Sequence, residues 1–126
     1  MGYESSFNYN FSGIVEIKDV DGLNRKISKL DSGMSEAKIK IACDNPNDYA
    51  IEMSDYYGKF YDDRKFAELL STYLVKGSVT LTYDGEDGSK WGYEVYPGKV
   101  VELDFIPVPT GLKDKVNKYI KSLKQD

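Results

Sequence analysis

The cleanest pattern in the chain runs from Glu36 to Cys43, where Ala37, Ile39, Ile41 and Cys43 alternate with Glu36, Lys38 and Lys40. A period of two turns one set towards a core and the other towards water, so this stretch predicts a β-strand. Asp44-Asn45-Pro46-Asn47-Asp48 follows, and its proline and Asx side chains are turn chemistry. Tyr49 to Ser54 then returns with Tyr49, Ile51 and Met53 aligned, which makes the pair a hairpin. Upstream, Tyr9 to Ile17 places Phe11, Val15 and Ile17 on one face, interrupted by Gly13.

Helical spacing occurs three times. Leu23, Ile27 and Leu30, after punctuation at Asp21-Gly22, predict a short helix ending near Asp31-Ser32-Gly33. Phe66, Leu69, Leu70, Tyr73 and Leu74 predict the main helix, with Asp62 as its cap and Gly77 at its end. After Pro107-Val108-Pro109, Thr110 opens a third helix with Leu112, Val116, Tyr119, Ile120 and Leu123 on one stripe and lysines opposite. Between the last two lie three strands in a meander, Ser78 to Tyr83, Trp91 to Tyr96 and Lys99 to Ile106. The acidic loop Asp84 to Lys90 and a type II turn at Pro97-Gly98 connect them. The expected fold is one α+β domain over residues 1–126. It has an antiparallel sheet of about five to six strands with two to three helices on one face.

Composition narrows the chemistry. With 126 residues, 40% of them hydrophobic, the chain fits one core and leaves no room for a second. It has no histidine, which excludes Ser-His-Asp and Cys-His nucleophile activation, imidazole metal sites and histidine pH switching within the chain. Cys43 is the only cysteine, so an intramolecular disulfide, a Cys-x-x-Cys pair and a multi-thiolate zinc site are excluded too. Its place at the end of an apolar face predicts a buried structural thiol. Met1 to Phe11 lacks the basic and apolar regions of a secretory signal, and no run approaches the roughly 18 apolar residues of a membrane span. A reducing, cytoplasmic location is expected, which makes the Asn10-Phe11-Ser12 sequon accidental.

The net charge of −4 conceals an uneven distribution. Residues 110–126 hold five lysines against Asp114 and Asp126, a local +3, so the remaining chain stands at −7. Asp44 to Asp63 alone carries six carboxylates and only Lys59. Such a body is a poor grip for phosphate backbones and a good match for a basic partner. The lysine face of the last helix reads as a solvated face, with an anionic partner or the acidic body itself as alternatives.

Candidate chemistry is sparse. Asp84-Gly85-Glu86-Asp87-Gly88-Ser89 invites a calcium reading, but an EF-hand register would put Ser89 where glycine is needed and Val95 where a bidentate glutamate is needed. Asp62/Asp63, Glu86/Asp87 and Glu102/Asp104 are pairs of the kind used in acid-base catalysis. Simpler roles are available to each, at a helix start, in a loop and on the solvent side of a strand respectively. Gly85, Gly88 and Gly92 are not followed by the lysine and helix of a phosphate cradle.

The densest aromatic run, Tyr49, Tyr56, Tyr57, Phe60 and Tyr61, coincides with the densest carboxylates. In one reading about half of these rings pack beneath the main helix. In the other, tyrosine beside carboxylate forms an interface that receives arginine and lysine through cation–π contact and charge pairing.

Met1-Gly2-Tyr3-Glu4-Ser5-Ser6-Phe7, the stretch Gly85-Glu86-Asp87-Gly88-Ser89-Lys90-Trp91-Gly92-Tyr93 and Gly98-Lys99-Val100 resemble small uncharacterised proteins of bacteriophages and prophages. The resemblance covers the first residues and about Asp62 to Leu103, and it carries no catalytic residue. It implies a context in which host-defence inhibitors, including anti-CRISPR proteins, act by occupying a partner's surface. The resulting expectation is a non-enzymatic binding module, an inhibitor of a host defence nuclease acting in the host cytoplasm. Its contacts are Asp55, Tyr56, Tyr57, Tyr61, Glu86 and Asp87. It uses no cofactor, metal or catalytic residue, and its partner is a protein with a basic surface rather than nucleic acid or membrane. Two alternatives stand beside it. One is a carboxylate-based or metal-dependent hydrolase at the Asp84 to Asp87 loop, and the other an assembly component that oligomerises through an exposed sheet edge.

Overall fold

Five antiparallel strands form the main sheet in the order β4-β1-β5-β6-β7, with β1 (Ser5–Ile17) and β5 (Leu74–Gly85) as its two long members. The computed structural model describes residues 4–42 and 48–105, and only the backbone of the last two. Cys43, most of the Asp44 to Asp48 turn and the expected helix from Thr110 lie outside the described residues.

β1 and β5 pair from Ser5↔Gly85 to Ile17↔Leu74, with the register shifting between Ser12 and Glu16, just after Gly13. β6 (Lys90–Tyr96) and β7 (Lys99–Phe105) complete the meander. β4 (Tyr57–Gly58) is two residues long and covers only the start of β1. The turn at Pro97-Gly98 forms as expected, with Gly98 at φ 71, a left-handed value that glycine reaches at no steric cost.

Period-two alternation gives the sheet one apolar face. Phe7, Val15, Val79, Leu81, Tyr83 and Val95 are buried there against Leu23 and Ile27 of α1 (Val20–Ile27) and Phe66, Ala67 and Leu70 of α2 (Asp63–Tyr73). Each large side chain so buried contributes about 1.5–3 kcal/mol. Asn8, Asn10, Thr80, Thr82 and Glu94 belong to the opposite face, as in an antiparallel sheet covered on one side. The α+β architecture expected from the sequence is therefore present.

The hairpin of β2 (Lys38–Ile41) and β3 (Tyr49–Glu52) is a separate two-stranded sheet. Its anchor is Asn24 of α1, whose amide accepts from Ile39 N–H at 2.8 Å and donates to Ile39 C=O at 3.0 Å, standing in for a third strand.

Several boundaries differ from the sequence expectation. The first strand begins at Ser5 rather than Tyr9, because residues up to Gly85 supply it with a partner. Asp21-Gly22 lies inside the first turn of α1, since Asp19 caps the helix by accepting from Gly22 N–H at 3.1 Å. The main helix stops at Tyr73, and Gly77 sits within β5. Leu74 fits the helical stripe, but pairing with Ile17 takes it into the sheet, where tertiary contact overrides local periodicity. A 3₁₀ turn, Gly33–Glu36, buries Met34 in the core and had no counterpart in the periodicity. Among the described residues no helix is long and apolar enough to cross a membrane.

Candidate functional site

The site begins with a carboxylate that is not where helix chemistry would put it. Asp62 precedes α2 but makes no side-chain capping bond to that helix. Its side chain crosses to the 3₁₀ turn, accepting from Ser32 N–H at 2.9 Å and Met34 N–H at 3.1 Å, while its own N–H donates to Ser32 Oγ at 3.0 Å. Gly33 N–H donates to Lys59 C=O at 2.7 Å alongside. Asp62 is 1% exposed, so these bonds replace its lost hydration. Asp62 thus holds the N-cap position of α2 as expected, its C=O accepting from Phe66 N–H at 3.0 Å, but the orphan amides of the 3₁₀ turn win its carboxylate. Gly33 is required at the crossing, because a Cβ there would lie 2.5 Å from the Lys59 carbonyl oxygen and 2.6 Å from the Phe60 ring.

Asp63 is committed elsewhere. Its carboxylate accepts from Arg64 N–H at 2.8 Å and from Trp91 Nε1–H at 2.7 Å, and the Tyr93 hydroxyl also bonds to it. Burial, then the negative charge of Asp63 and that hydrogen bond, raise the Tyr93 phenol far above its ordinary range. Glu102 is exposed as expected, yet lies on the α2 side of the sheet, where Arg64 pairs with it.

The crossing of the two segments leaves a cleft of about 630 Å³ between the 3₁₀ turn and β4. Asp31 and Glu36 line it on one side, Asp55, Tyr57, Lys59 and Tyr61 on the other, and Glu4 at the end. Phe60, 4% exposed, forms the floor by packing on Phe7 and Tyr83. Tyr57 and Tyr61 remain 47% and 60% exposed. The Tyr57 phenol is raised above its ordinary range by partial desolvation, then by the charges of Glu4 and Glu86, with a hydrogen bond to Glu4 adding to the effect. Asp55 fixes the start of β4 by accepting from Tyr57 N–H at 3.0 Å, and Asp31 meets Lys65 at 3.6 Å.

Of the residues expected to act together, Asp55, Tyr57 and Tyr61 line this cleft, and Glu86 lies close enough for its charge to act on Tyr57. Glu86 reaches that position because its N–H donates to Glu4 C=O at 3.0 Å. Tyr56 and Asp87 do not line the cleft. Tyr56 lies at a bend before β4, and its hydroxyl is held away by donating to Ile51 C=O at 2.8 Å. Asp87 stays at the exposed tip of the β5–β6 hairpin, accepting from Ser89 N–H at 3.0 Å. Within the aromatic run both readings have members. Tyr49 packs against Phe11 and accepts from Ile17 N–H at 3.3 Å, and Phe60 is core, whereas Tyr57 and Tyr61 face water.

Glu4, Asp31 and Glu36 were missed by sequence reasoning. They lie far from Asp55 in the chain and arrive through the Asp62 crossing and the β1–β4 pairing, for which no local pattern exists. Among the described residues no three His, Cys, Asp or Glu side chains are grouped so as to hold a metal ion. The cleft instead brings four carboxylates, Glu4, Asp31, Glu36 and Asp55, to the lining of one concavity, which suits a positively charged ligand. Comparison with protein-family models, curated proteins and solved structures returns no match for this chain.

Proposed function

We propose that the chain is a non-enzymatic binding module that receives an arginine- or lysine-bearing segment of a partner protein in the cleft between the 3₁₀ turn and β4. The observation that carries this reading is the meeting of two exposed tyrosine rings with Glu4, Asp31, Glu36 and Asp55 in one concavity that holds a single lysine. A guanidinium over an exposed ring contributes about 0.5–1 kcal/mol, and an exposed ion pair about 0–1 kcal/mol. One cation is therefore held weakly, and affinity requires two or more on the same segment. Arginine fits better than lysine, because its flat guanidinium both stacks on tyrosine and forks onto carboxylate. The same carboxylates repel a nucleic-acid backbone.

An inhibitor that occupies the basic groove of a host defence nuclease is one protein of this chemistry. Its support is the resemblance to phage proteins together with the sign of the cleft.

Titration with an oligo-arginine peptide, followed through the tyrosine resonances, tests the binding reading. Binding at low salt that weakens as salt rises, and that disappears in Asp55→Asn/Tyr57→Ala, is the expected result. No binding at low salt, or binding unchanged in the double variant, overturns it. The inhibitor form requires a nuclease captured from a bacterial lysate by the native chain and not by the double variant.

A further inference from the structure

A different part of the molecule, the outer edge of β1, leads to a second surface. β4 covers only the first two residues of that edge, pairing with Ser5 and Ser6. The last bond on this side is Phe7 N–H to Tyr56 C=O at 2.7 Å. Backbone groups along an antiparallel strand alternate in direction, so Tyr9 and Phe11 present their N–H and C=O groups on the same side as Phe7. Among the described residues no strand pairs with them there. The open run ends at Ser12, where the register shifts, and farther on Ile17 N–H is taken by the Tyr49 hydroxyl. A hollow of about 380 Å³, lined by Phe7, Asn8, Tyr9 and Tyr56, opens where β4 leaves the edge.

Exposed edges usually carry lysine, proline or inward charges that block pairing with another chain. The opposite edge of this sheet conforms, with Lys99, Glu102 and Asp104 in β7. The β1 edge does not: Ser5 to Val15 contains no charged residue and no proline. We infer that this edge joins two copies of the chain, their β1 strands running antiparallel about Asn10 to make one continuous sheet. Three observations favour a second copy over another occupant. Antiparallel pairing about Asn10 sets Tyr9 opposite the second copy's Phe11, ring beside ring on the helix-covered face. It sets Asn8 opposite the second copy's Ser12 and Asn10 opposite itself, uncharged polar groups that can bond across the seam on the other face. The chain is acidic, and across the seam from Asn8 to Ser12 two acidic copies meet without facing like charges, since Glu4 and Glu16, which this register sets opposite each other, lie beyond the paired residues. The seam is short, bounded by Tyr56 and the shifted register, so the association is concentration-dependent rather than permanent.

Sedimentation across a wide concentration range, combined with amide exchange at Tyr9 and Phe11, tests the inference with the full chain. The expected result is a reversible monomer–dimer equilibrium in which both amides become protected as the dimer forms. Asn10→Lys, which brings two like charges together at the axis, should lower the association constant about tenfold or more, while Asn10→Thr should leave it unchanged. Circular dichroism should show both variants folded, since residue 10 is exposed. A strict monomer with both amides unprotected overturns the inference and leaves the edge for a strand from another protein. A monomer with both amides protected also overturns it, because the chain then covers its own edge. A dimer indifferent to Asn10→Lys places the contact elsewhere and overturns it as well.

Discussion

The protein brings tyrosine and carboxylate together twice, around Asp62 and Asp63 and around Asp55, and uses the same residue types to opposite ends. In the inner cluster Tyr83 stacks on Trp91 with ring centroids 5.6 Å apart, and the carboxylates accept from backbone amides, the indole and a phenol. In the outer cluster Tyr57 and Tyr61 stand beside Glu4, Asp31, Glu36 and Asp55 with their rings in water. The difference teaches that composition does not separate a structural cluster from a binding one. What separates them is whether neighbouring segments deliver enough donors and apolar surface to bury the carboxylates.

The sharpest break of this contrast is Asp62→Ala. Removing its acceptors leaves the Ser32 and Met34 amides without partners, and a loss of about 3 kcal/mol is expected in urea unfolding. Asp62→Asn, which keeps one acceptor, should lose less. Alkaline titration comes next. Burial and then the charge of Asp63 raise the phenols of both Tyr83 and Tyr93, so the native state resists an ionisation that the unfolded chain undergoes near pH 10. Stability is accordingly full below about pH 10 and falls as pH rises beyond it. Phenolate absorbance should show these two tyrosines ionising only as the near-ultraviolet dichroism is lost. All eleven tyrosines titrating while the fold persists would refute the buried inner cluster.

Trp91→Phe retains a ring but removes the donor to Asp63, with an expected cost of about 1 kcal/mol in the same unfolding assay. The smallest effect belongs to the outer cluster. Asp55→Asn and Tyr61→Ala should each change stability by no more than about 0.5 kcal/mol, while weakening capture of oligo-arginine. An outer substitution as costly as Asp62→Ala would erase the distinction between the two clusters.

The legible parts of the fold were those written in short-range periodicity. Val79, Leu81 and Tyr83 alternate in the sequence and share the buried face of β5, and the hairpin of β2 and β3 forms with Ile39 and Ile51 buried, although Ile41, expected on the same inner face, is 53% exposed near the hairpin's end. Elements made by distant segments were illegible. The 3₁₀ turn exists because Asp62, 28 residues from Met34, reaches its amides. Nothing around Ser32 or Asp62 encodes that distance. For the same reason Asp55, Tyr57 and Tyr61 could be singled out by local density, whereas Glu4 and Glu36 could not. Tyr56 illustrates the opposite error: density along the chain included it, and the bond from its hydroxyl to Ile51 C=O holds it away from the cleft.

The pairing of β1 with β5 also sets the order in which the protein can assemble. β1 emerges from the ribosome well before β5, its central partner, which is not complete until Gly85 has been made. At about 5–20 residues per second, an uncharged, aromatic strand waits for several seconds with both edges open. Closing so long a loop is entropically slow, which places the fold among those limited by long-range contact formation. A nascent chain halted before β5 therefore displays its most adhesive segment unpaired, and in the cell that interval is the one in which a chaperone would shelter it.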